Sequence, residues 1–277
     1  MAKHDPKMPL IPERDKSSQP VLQCVDLGID FGGLVAVDGF NIAIGPTEIC
    51  GLIGPNGAGK TTIFNLLTKV YTPTRGAILL DGNDTKNMNT IRANKAGLAR
   101  TFQNIRLFDK MTVMENVLLG LHNEVGYNLS TAIFRLPQYW RAERAARSRA
   151  LELLSIFDMQ HMANYKAGSL PYGSKRRLEI VRALATNPRV LLLDEPAAGM
   201  NPAETEELMH TIKKIHETFS IAILLIEHDM RLVMGICEGI AVLNYGRLIA
   251  KGTPAQVQNN PKVIEAYLGT GGGNADA

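Results

Sequence analysis

The sequence predicts an α/β fold built on a mainly parallel sheet, and three observations lead to this prediction. Short apolar runs alternate with helical patterns at both ends of the chain, which is the order that strand–helix–strand units produce. Several of these runs are apolar throughout, as expected of strands that are covered on both faces. From residue 104 to about residue 185 the patterns are mostly helical instead. We therefore expect a strand-rich core that is interrupted by a helical subdomain.

The strands are predicted from alternation and from continuous apolar runs. Alternating apolar residues indicate two half-buried strands, at Val25, Leu27, Ile29 and Phe31 and at Phe40, Ile42 and Ile44. Continuous runs predict covered strands at residues 49–53, 190–193 and 221–226. A helix should follow the first of these runs from Lys60 onward.

Two further helices have clear start signals. Asn201, Pro202 and Glu204 supply a cap, a first-turn proline and an acidic residue. The apolar stripe of that helix consists of Leu208, Ile212, Ile215 and Phe219. Thr112 and Glu115 form a capping box, which should open the first helix of the helical subdomain.

Composition and charge exclude several classes of protein. The chain has 277 residues, of which 45% are apolar and 21% charged, values typical of a globular protein rather than a disordered or fibrous one. Its net charge of +3 is too small to indicate a nucleic-acid partner. The longest apolar runs fall well short of the ~20 residues that a membrane span needs. The three cysteines are far apart in apolar stretches, so we expect buried, reduced thiols in a cytosolic protein.

A phosphate-binding loop is the strongest motif in the chain. Residues 54–61 have the pattern of a glycine, four residues, a second glycine, a lysine and a hydroxyl residue, after a covered strand and before a helix. Backbone N–H groups of such a loop surround phosphates, the Lys60 charge meets the β- and γ-phosphates, and the Thr61 hydroxyl can bind Mg2+. The predicted nucleotide-binding residues are Gly54, Pro55, Asn56, Gly57, Ala58, Gly59, Lys60, Thr61 and Thr62. The motif predicts binding of a nucleoside triphosphate.

Two acids end the predicted strand at residues 190–193. An aspartate at this position, here Asp194, is how many phosphate-loop enzymes hold Mg2+. The adjacent Glu195 can orient or deprotonate a water molecule for in-line attack on the γ-phosphate. The alternative is that the acids merely end a strand at the surface, and the phosphate loop upstream favours the catalytic interpretation.

With these motifs in place, the chain resembles the ATPase subunits of ABC transporters over residues 21 to about 269. The resemblance implies an ABC-type P-loop NTPase with a mainly parallel core sheet, an antiparallel β subdomain and an inserted helical subdomain. It implies one ATPase domain at 21–269, with a catalytic core at 21–103 and 186–269 and the helical subdomain at 104–185. Residues 1–20 and 270–277 are expected to be a flexible arm and a flexible tail.

The resemblance also implies roles for individual residues, with ATP and Mg2+ as ligands. Gln103 looks like the glutamine that links Mg2+ and the attacking water to the helical subdomain, and His228 like the switch histidine at the γ-phosphate. Phe31 looks like the aromatic residue that stacks on adenine. The plainer alternatives are a strand-end amide, a packed or solvated histidine and a core aromatic residue. The implied catalytic residues are Lys60, Gln103, Glu195 and His228, and the implied Mg2+ ligands are Thr61, Gln103 and Asp194.

The signature segment departs from the pattern of the family. Where the common form is Leu-Ser-Gly-Gly-Gln, residues 170–174 are Leu-Pro-Tyr-Gly-Ser. Gly173 and a helix after it are kept, so a helix N-terminus can still face a phosphate of ATP. Pro171 replaces the serine and removes a hydroxyl and an N–H that would contact the γ-phosphate bound by the opposite subunit. The departure therefore bears on how strongly ATP joins two subunits.

Three further segments, at residues 196–202, 227–234 and 259–269, are similar to the ATPases of branched-chain amino-acid importers. This similarity implies that ATP hydrolysis energises the uptake of leucine, isoleucine and valine. The implied partners are two transmembrane permease subunits, a periplasmic or extracellular solute-binding protein and a second ATPase subunit, in a homodimer or a heterodimer. The implied location is the cytoplasmic face of the inner (plasma) membrane. The alternatives are an ATPase that serves urea, other amino acids or lipopolysaccharide export, and a soluble ABC ATPase of translation or repair without a membrane partner.

Overall fold

The computed structural model describes residues 20–122 and 137–268. The predicted arm, apart from Pro20, and the predicted tail lie outside the described residues. The described chain divides into two compact units, which we call the core unit (residues 20–103 and 189–268) and the helical unit (residues 104–122 and 137–188).

The core unit contains two sheets. Its described strands are β1 (Leu22–Phe31), β2 (Leu34–Ile44), β3 (Ile49–Ile53), β4 (Arg75–Leu80), β5 (Asn83–Asp84), β6 (Leu98–Arg100), β7 (Val190–Asp194), β8 (Ala222–Ile226), β9 (Gly239–Asn244) and β10 (Arg247–Gly252). Six of them form one sheet in the order β10-β9-β3-β8-β7-β6, in which only the β9–β10 pair is antiparallel among the described strands. The other sheet is antiparallel, in the order β2-β1-β4-β5. The prediction of a mainly parallel core sheet and an antiparallel β subdomain is confirmed.

The central strands are buried along their whole length. Every residue of β3, β7 and β8 is buried, as the continuous apolar runs predict for strands with neighbours on both sides and cover on both faces. The apolar sequence therefore determines which strands occupy the middle of the parallel sheet.

The alternation in β1 correctly predicts the strand, but two of the side chains that it predicts to be buried are exposed. Leu27 and Ile29 are buried, whereas Val25 is 39% and Phe31 43% exposed. Asp26 has a left-handed backbone with φ 47°, and the pairing with β2 shifts between Cys24 and Leu27 and again after Leu27. Such bulges reverse the phase of a strand, so residues two apart in sequence no longer share a face.

Two of the described helices begin where their predicted capping signals place them. The helices are α1 (Lys60–Leu67), α2 (Thr90–Lys95), α3 (Val113–Leu121), α4 (Pro137–Ile156), α5 (Tyr172–Leu184), α6 (Pro202–Phe219), α7 (Met230–Ile236), α8 (Pro254–Gln258) and α9 (Pro261–Leu268). Asn201 and Glu204 form a capping box at α6, and the predicted stripe of that helix is buried. The capping box of Thr112 and Glu115 opens α3. These signals are local hydrogen bonds, which explains why the sequence alone locates them.

The helical unit contains α3, α4 and α5, and α3 packs against both of the others. Two short 3-10 turns, Gln160–Met162 and Ala167–Ser169, lead into α5. In the described part of the chain no helix is long and apolar enough to cross a membrane. Cys24, Cys50 and Cys237 are buried free thiols, as predicted.

Candidate nucleotide-binding site

The site forms where four parallel strands of the core unit end. The strands β3, β8, β7 and β6 are successive neighbours, and the carboxyl ends of parallel strands lie at one edge of a sheet. The phosphate loop follows β3, Glu227 and His228 follow β8, Asp194 and Glu195 end β7, and Gln103 lies shortly after β6. The topology therefore brings the predicted catalytic residues to the same edge of the sheet.

The phosphate loop has a backbone that only glycine fits at two positions. Gly54 has φ 155°, and a Cβ there would lie 2.1 Å from the carbonyl oxygen of Leu243 on the neighbouring β9. Gly59 has φ 99°, and its Cβ would lie 2.9 Å from the carbonyl oxygen of Ala36. A side chain at either position would push the loop away from the strands behind it. The loop is therefore held close to the strands behind it.

Lys60, the first residue of α1, reaches back over this loop. Its Nζ donates hydrogen bonds to the carbonyl oxygens of Gly54 at 2.7 Å and Pro55 at 2.9 Å. Burial lowers the pKa of the Lys60 ammonium, while the negative charge of Glu195 acts in the opposite direction. Lys60 thus places a partly desolvated positive charge near Glu195. Thr61, the next residue, is exposed.

The two acids at the end of β7 have different surroundings. The Asp194 side chain is only 6% exposed, and its Oδ2 accepts a hydrogen bond from Nη2 of Arg100 at 2.6 Å. Glu195 has a left-handed backbone with φ 45°, a strained conformation that is often found at functional sites. Its Oε2 accepts a hydrogen bond at 2.7 Å from Nε2 of Gln103. The structure therefore brings Gln103 and Glu195 into direct contact.

His228 is exposed, but the residue before it is buried. The side chain of His228 is 69% exposed, and its Nδ1 lies 3.8 Å from Oε2 of Glu227. The Glu227 carboxylate accepts backbone hydrogen bonds from Ala197 at 2.7 Å, His228 at 3.0 Å and Asp229 at 3.4 Å. Burial raises the pKa of Glu227, and these N–H donors oppose the rise. Glu227 thus joins the segment after Glu195 to the segment that contains His228.

The two remaining predicted residues are Phe31 in the core unit and Gly173 in the helical unit. Phe31, at the end of β1, makes an edge-to-face contact with Tyr71, with ring centroids 5.2 Å apart. Gly173 lies in the first turn of α5 in the helical unit, where a Cβ would meet no atom within 4 Å. Pro171 is the N-cap of α5 and provides no side-chain capping hydrogen bond.

Sequence reasoning missed several residues that shape the site. Arg100 donates a hydrogen bond to Asp194, and Glu227 accepts hydrogen bonds from the backbone of Ala197 and His228. Tyr71 contacts Phe31, and the Tyr267 hydroxyl is hydrogen-bonded to the backbone of Gly54. A charged residue at the end of an apolar strand is the signal that could have identified Arg100 and Glu227, because burying a charge requires a partner. No pattern in the sequence distinguishes Tyr71 or Tyr267.

Comparison with known proteins adds the family to this geometry. Residues 37–198, more than half of the chain, match the family described as ABC transporter. The chain belongs to the ABC transporter family. ABC transporter ATP-binding proteins hydrolyse ATP to power transport, so the nucleotide of this ABC ATPase is ATP. Residues 247–272 match a second family, described as branched-chain amino acid ATP-binding cassette transporter.

Similar proteins cover nearly the whole ABC ATPase. It is 46% identical over 252 residues to the high-affinity branched-chain amino acid transport ATP-binding protein BraF of Pseudomonas aeruginosa, covering 91% of this chain and 99% of the relative. It is 48% identical to LivG of Escherichia coli K12, a protein of the same description, with the same coverage. Among solved structures, an ATP-binding cassette of an ABC transporter in its ADP conformation matches with a TM-score of 0.77 and 29% identity, covering 91% of this chain and all of that one.

Proposed function

We propose that this ABC ATPase energises the uptake of branched-chain amino acids through membrane permeases. The match of residues 247–272 to a family specific to branched-chain amino acid transport carries this proposal. Relatives that are 46% and 48% identical are described as transport proteins for the same solutes. Urea, other amino acids and lipopolysaccharide remain the alternative solutes, because the solute is selected by subunits outside this chain.

In the proposed mechanism the protein acts by positioning and by charge. The phosphate loop and Lys60 bind the phosphates of ATP, and the Lys60 ammonium offsets charge that develops on the γ-phosphate. Glu195 orients or deprotonates the attacking water, and Gln103, 2.7 Å from its carboxylate, holds that carboxylate in place. His228, at the end of the neighbouring strand β8, contacts the γ-phosphate. Phe31 stacks on adenine.

Mg2+ fits the side chains at this edge of the sheet. The Thr61 hydroxyl, the Gln103 amide and the Asp194 carboxylate offer hard oxygen donors, which Mg2+ prefers together with phosphate oxygens. The described residues contain no cluster of three or more His, Cys, Asp or Glu that could hold a metal by itself. This is consistent with an ion that arrives on ATP. When bound, Mg2+ supplies charge neutralisation at the β- and γ-phosphates.

The proposed assembly contains two ATPase subunits, identical or related, and two transmembrane permease subunits. Each ATP would lie between the phosphate loop of one subunit and the α5 N-terminus, with Gly173, of the other. A periplasmic or extracellular binding protein would deliver the solute, and the ATPase would be peripheral at the cytoplasmic face of the inner (plasma) membrane. No nucleic acid is involved.

The catalytic assignment is tested by replacing Glu195 with glutamine. Glu195→Gln should bind ATP with near wild-type affinity and lose nearly all hydrolysis, because the amide cannot accept a proton from water. Glu206→Gln, on an exposed part of α6, is the matched control and should hydrolyse ATP normally. Hydrolysis retained by Glu195→Gln would show that the base has been misassigned.

The proposed partners are tested by purification of the tagged chain from detergent-solubilised membranes. Two hydrophobic permease subunits and a second ATPase subunit should be recovered with it, and the permeases can then be assayed for their solute. Recovery of ribosomal or DNA-repair proteins from the soluble fraction would instead support the alternative of an ABC ATPase without a membrane partner.

A further inference from the structure

Arg100 is buried against the acid that we assign to Mg2+. The side chains of Arg100 and Asp194 are 7% and 6% exposed, and Nη2 of Arg100 donates to Oδ2 of Asp194 at 2.6 Å. The register explains the contact, because Arg100 on β6 pairs with Leu192 on β7, and residues two apart on a strand share a face. Within the described part of the chain, no hydrogen bond reaches Oδ1 of Asp194.

Several other groups fix the orientation of the Arg100 guanidinium. Its Nη1 donates to Oδ1 of Asn65 at 2.7 Å. The guanidinium carbon lies 5.5 Å from the centre of the Phe64 ring and 5.1 Å from the centre of the Phe102 ring, within the range of cation–π attraction. A guanidinium that is held in this way cannot follow a moving carboxylate. The fixed guanidinium therefore determines where the Asp194 carboxylate lies.

Burying Arg100 in this way lowers the stability of the fold, which argues against a purely structural role. The Nε of Arg100 is buried and has no hydrogen-bond partner among the described residues, and burying a charged group with an unsatisfied donor costs free energy. Buried ion pairs often contribute little to stability compared with apolar side chains of similar size. An arginine at this position is better explained by what it does to Asp194.

The same segment of chain holds both acids of the site. Oδ2 of Asp194 accepts a hydrogen bond from Arg100, and Oε2 of Glu195 accepts one from Gln103, three residues after Arg100. We propose that Arg100 is a positioning residue for the Mg2+ site: it occupies Oδ2 of Asp194 and presents Oδ1 to the ion. This inference rests on the proposed role of Asp194. Because Arg100 also neutralises the aspartate, the site binds Mg2+ well only when ATP phosphates complete it.

The test is a comparison of ATP affinity with and without Mg2+, measured in the Glu195→Gln background so that ATP is not hydrolysed. A fluorescent ATP analogue is titrated into the full-length protein in excess Mg2+ and in EDTA, and the ratio of the two dissociation constants reports the coupling to the ion. Arg100→Met should reduce this ratio to the value of Asp194→Asn while changing the affinity in EDTA less than threefold. Arg92→Met, which removes an exposed arginine from α2, should leave the ratio unchanged.

Arg100→Lys provides a second variant, which keeps the charge if Arg100→Met does not fold. A lysine ammonium cannot contact Asn65 and Asp194 with the fixed planar geometry of a guanidinium, so the ratio should fall at least threefold. A structural role alone would lower the melting temperature and weaken binding equally in Mg2+ and in EDTA, which would overturn the inference. So would a wild-type ratio in either Arg100 variant while Asp194→Asn reduces it. If Asp194→Asn itself leaves the ratio unchanged, the proposed Mg2+ role of Asp194 is what fails.

Discussion

Removing the Glu227 carboxylate should break the hydrogen bonds that connect the segment at Ala197 to the segment at His228 and Asp229. Its strongest bond is the one to the buried N–H of Ala197 at 2.7 Å, and a hydrogen bond to a charged group contributes about 1.5–3 kcal/mol. The N–H groups of His228 and Asp229 lie in a more exposed segment, where water replaces the acceptor, so they add at most about 1 kcal/mol together. We therefore expect Glu227→Ala to lower the free energy of unfolding by about 1.5–4 kcal/mol.

Urea denaturation followed by circular dichroism measures this loss. Glu227→Gln keeps the shape of the side chain and one acceptor oxygen, so it should cost only about 1 kcal/mol. Glu217→Ala, at an exposed position of α6, is the control and should stay within about 0.5 kcal/mol of wild type. If Glu227→Ala were as stable as this control, Glu227 would not join the two segments as described.

The stability difference between wild type and Glu227→Gln should depend on pH, and the pKa of Glu227 determines the direction of the change. Burial raises the pKa of Glu227 above its ordinary value of 4.5, so the folded protein keeps this proton to a higher pH than the unfolded chain does. The part of the Glu227 contribution that depends on its protonation is therefore fully present below the unfolded pKa and is lost as the pH rises through the folded pKa, whereas the hydrogen bonds to its carboxylate remain. The stability of wild type relative to Glu227→Gln should fall as the pH rises above 4.5. A difference that grows with pH would mean that the backbone donors outweigh burial.

Three further predictions concern other parts of the chain. Pro171→Ser should supply the missing cap of α5, worth about 1 kcal/mol, and should tighten ATP-dependent dimerisation in size-exclusion chromatography; unchanged or weaker dimerisation would show that the proline is already accommodated. Gly54→Ala should abolish ATP binding, because its Cβ would lie 2.1 Å from a carbonyl oxygen. Gly57→Ala has open space around its Cβ, so backbone strain should weaken ATP binding by only about 1–3 kcal/mol. Equal losses of ATP affinity in the two variants would contradict this. Burial raises the pKa of Cys24 and of Cys50 to about 12, so both thiols should resist iodoacetamide at pH ~8 until urea unfolds the protein.

The sequence alone predicts those parts of the fold that depend on local patterns. The buried strands β3, β7 and β8 follow from continuous apolar runs, and the starts of α3 and α6 follow from side chains that bond within one helical turn. The burial of Val25 and Phe31 is not predictable in this way. It depends on shifts in the pairing of β1 with β2, one at Asp26 and others between Leu27 and Asp30, which no pattern of apolar residues reveals.

In the candidate site, too, the sequence identifies the residues that belong to local patterns but not those that depend on distant contacts. The phosphate loop is one continuous segment, so spacing alone identifies it, and the acids of β7 become recognisable because they end a covered strand. Arg100 meets Asp194 across 94 residues of sequence and Glu227 meets Ala197 across 30. Such contacts depend on strand order and register, which the chain acquires only on folding. Residues that contact the predicted site residues across the fold are therefore harder to predict than the site residues themselves.

The most direct test of the central claim is the uptake of radiolabelled leucine by cells that lack this chain. Wild-type protein supplied in trans should restore uptake, and Glu195→Gln at the same level should not, because ATP would bind without being hydrolysed. Valine and isoleucine should compete with the leucine, whereas urea should not. Leucine uptake that is normal without the chain, or restored equally by Glu195→Gln, would contradict the claim that ATP hydrolysis at this site powers branched-chain amino acid import.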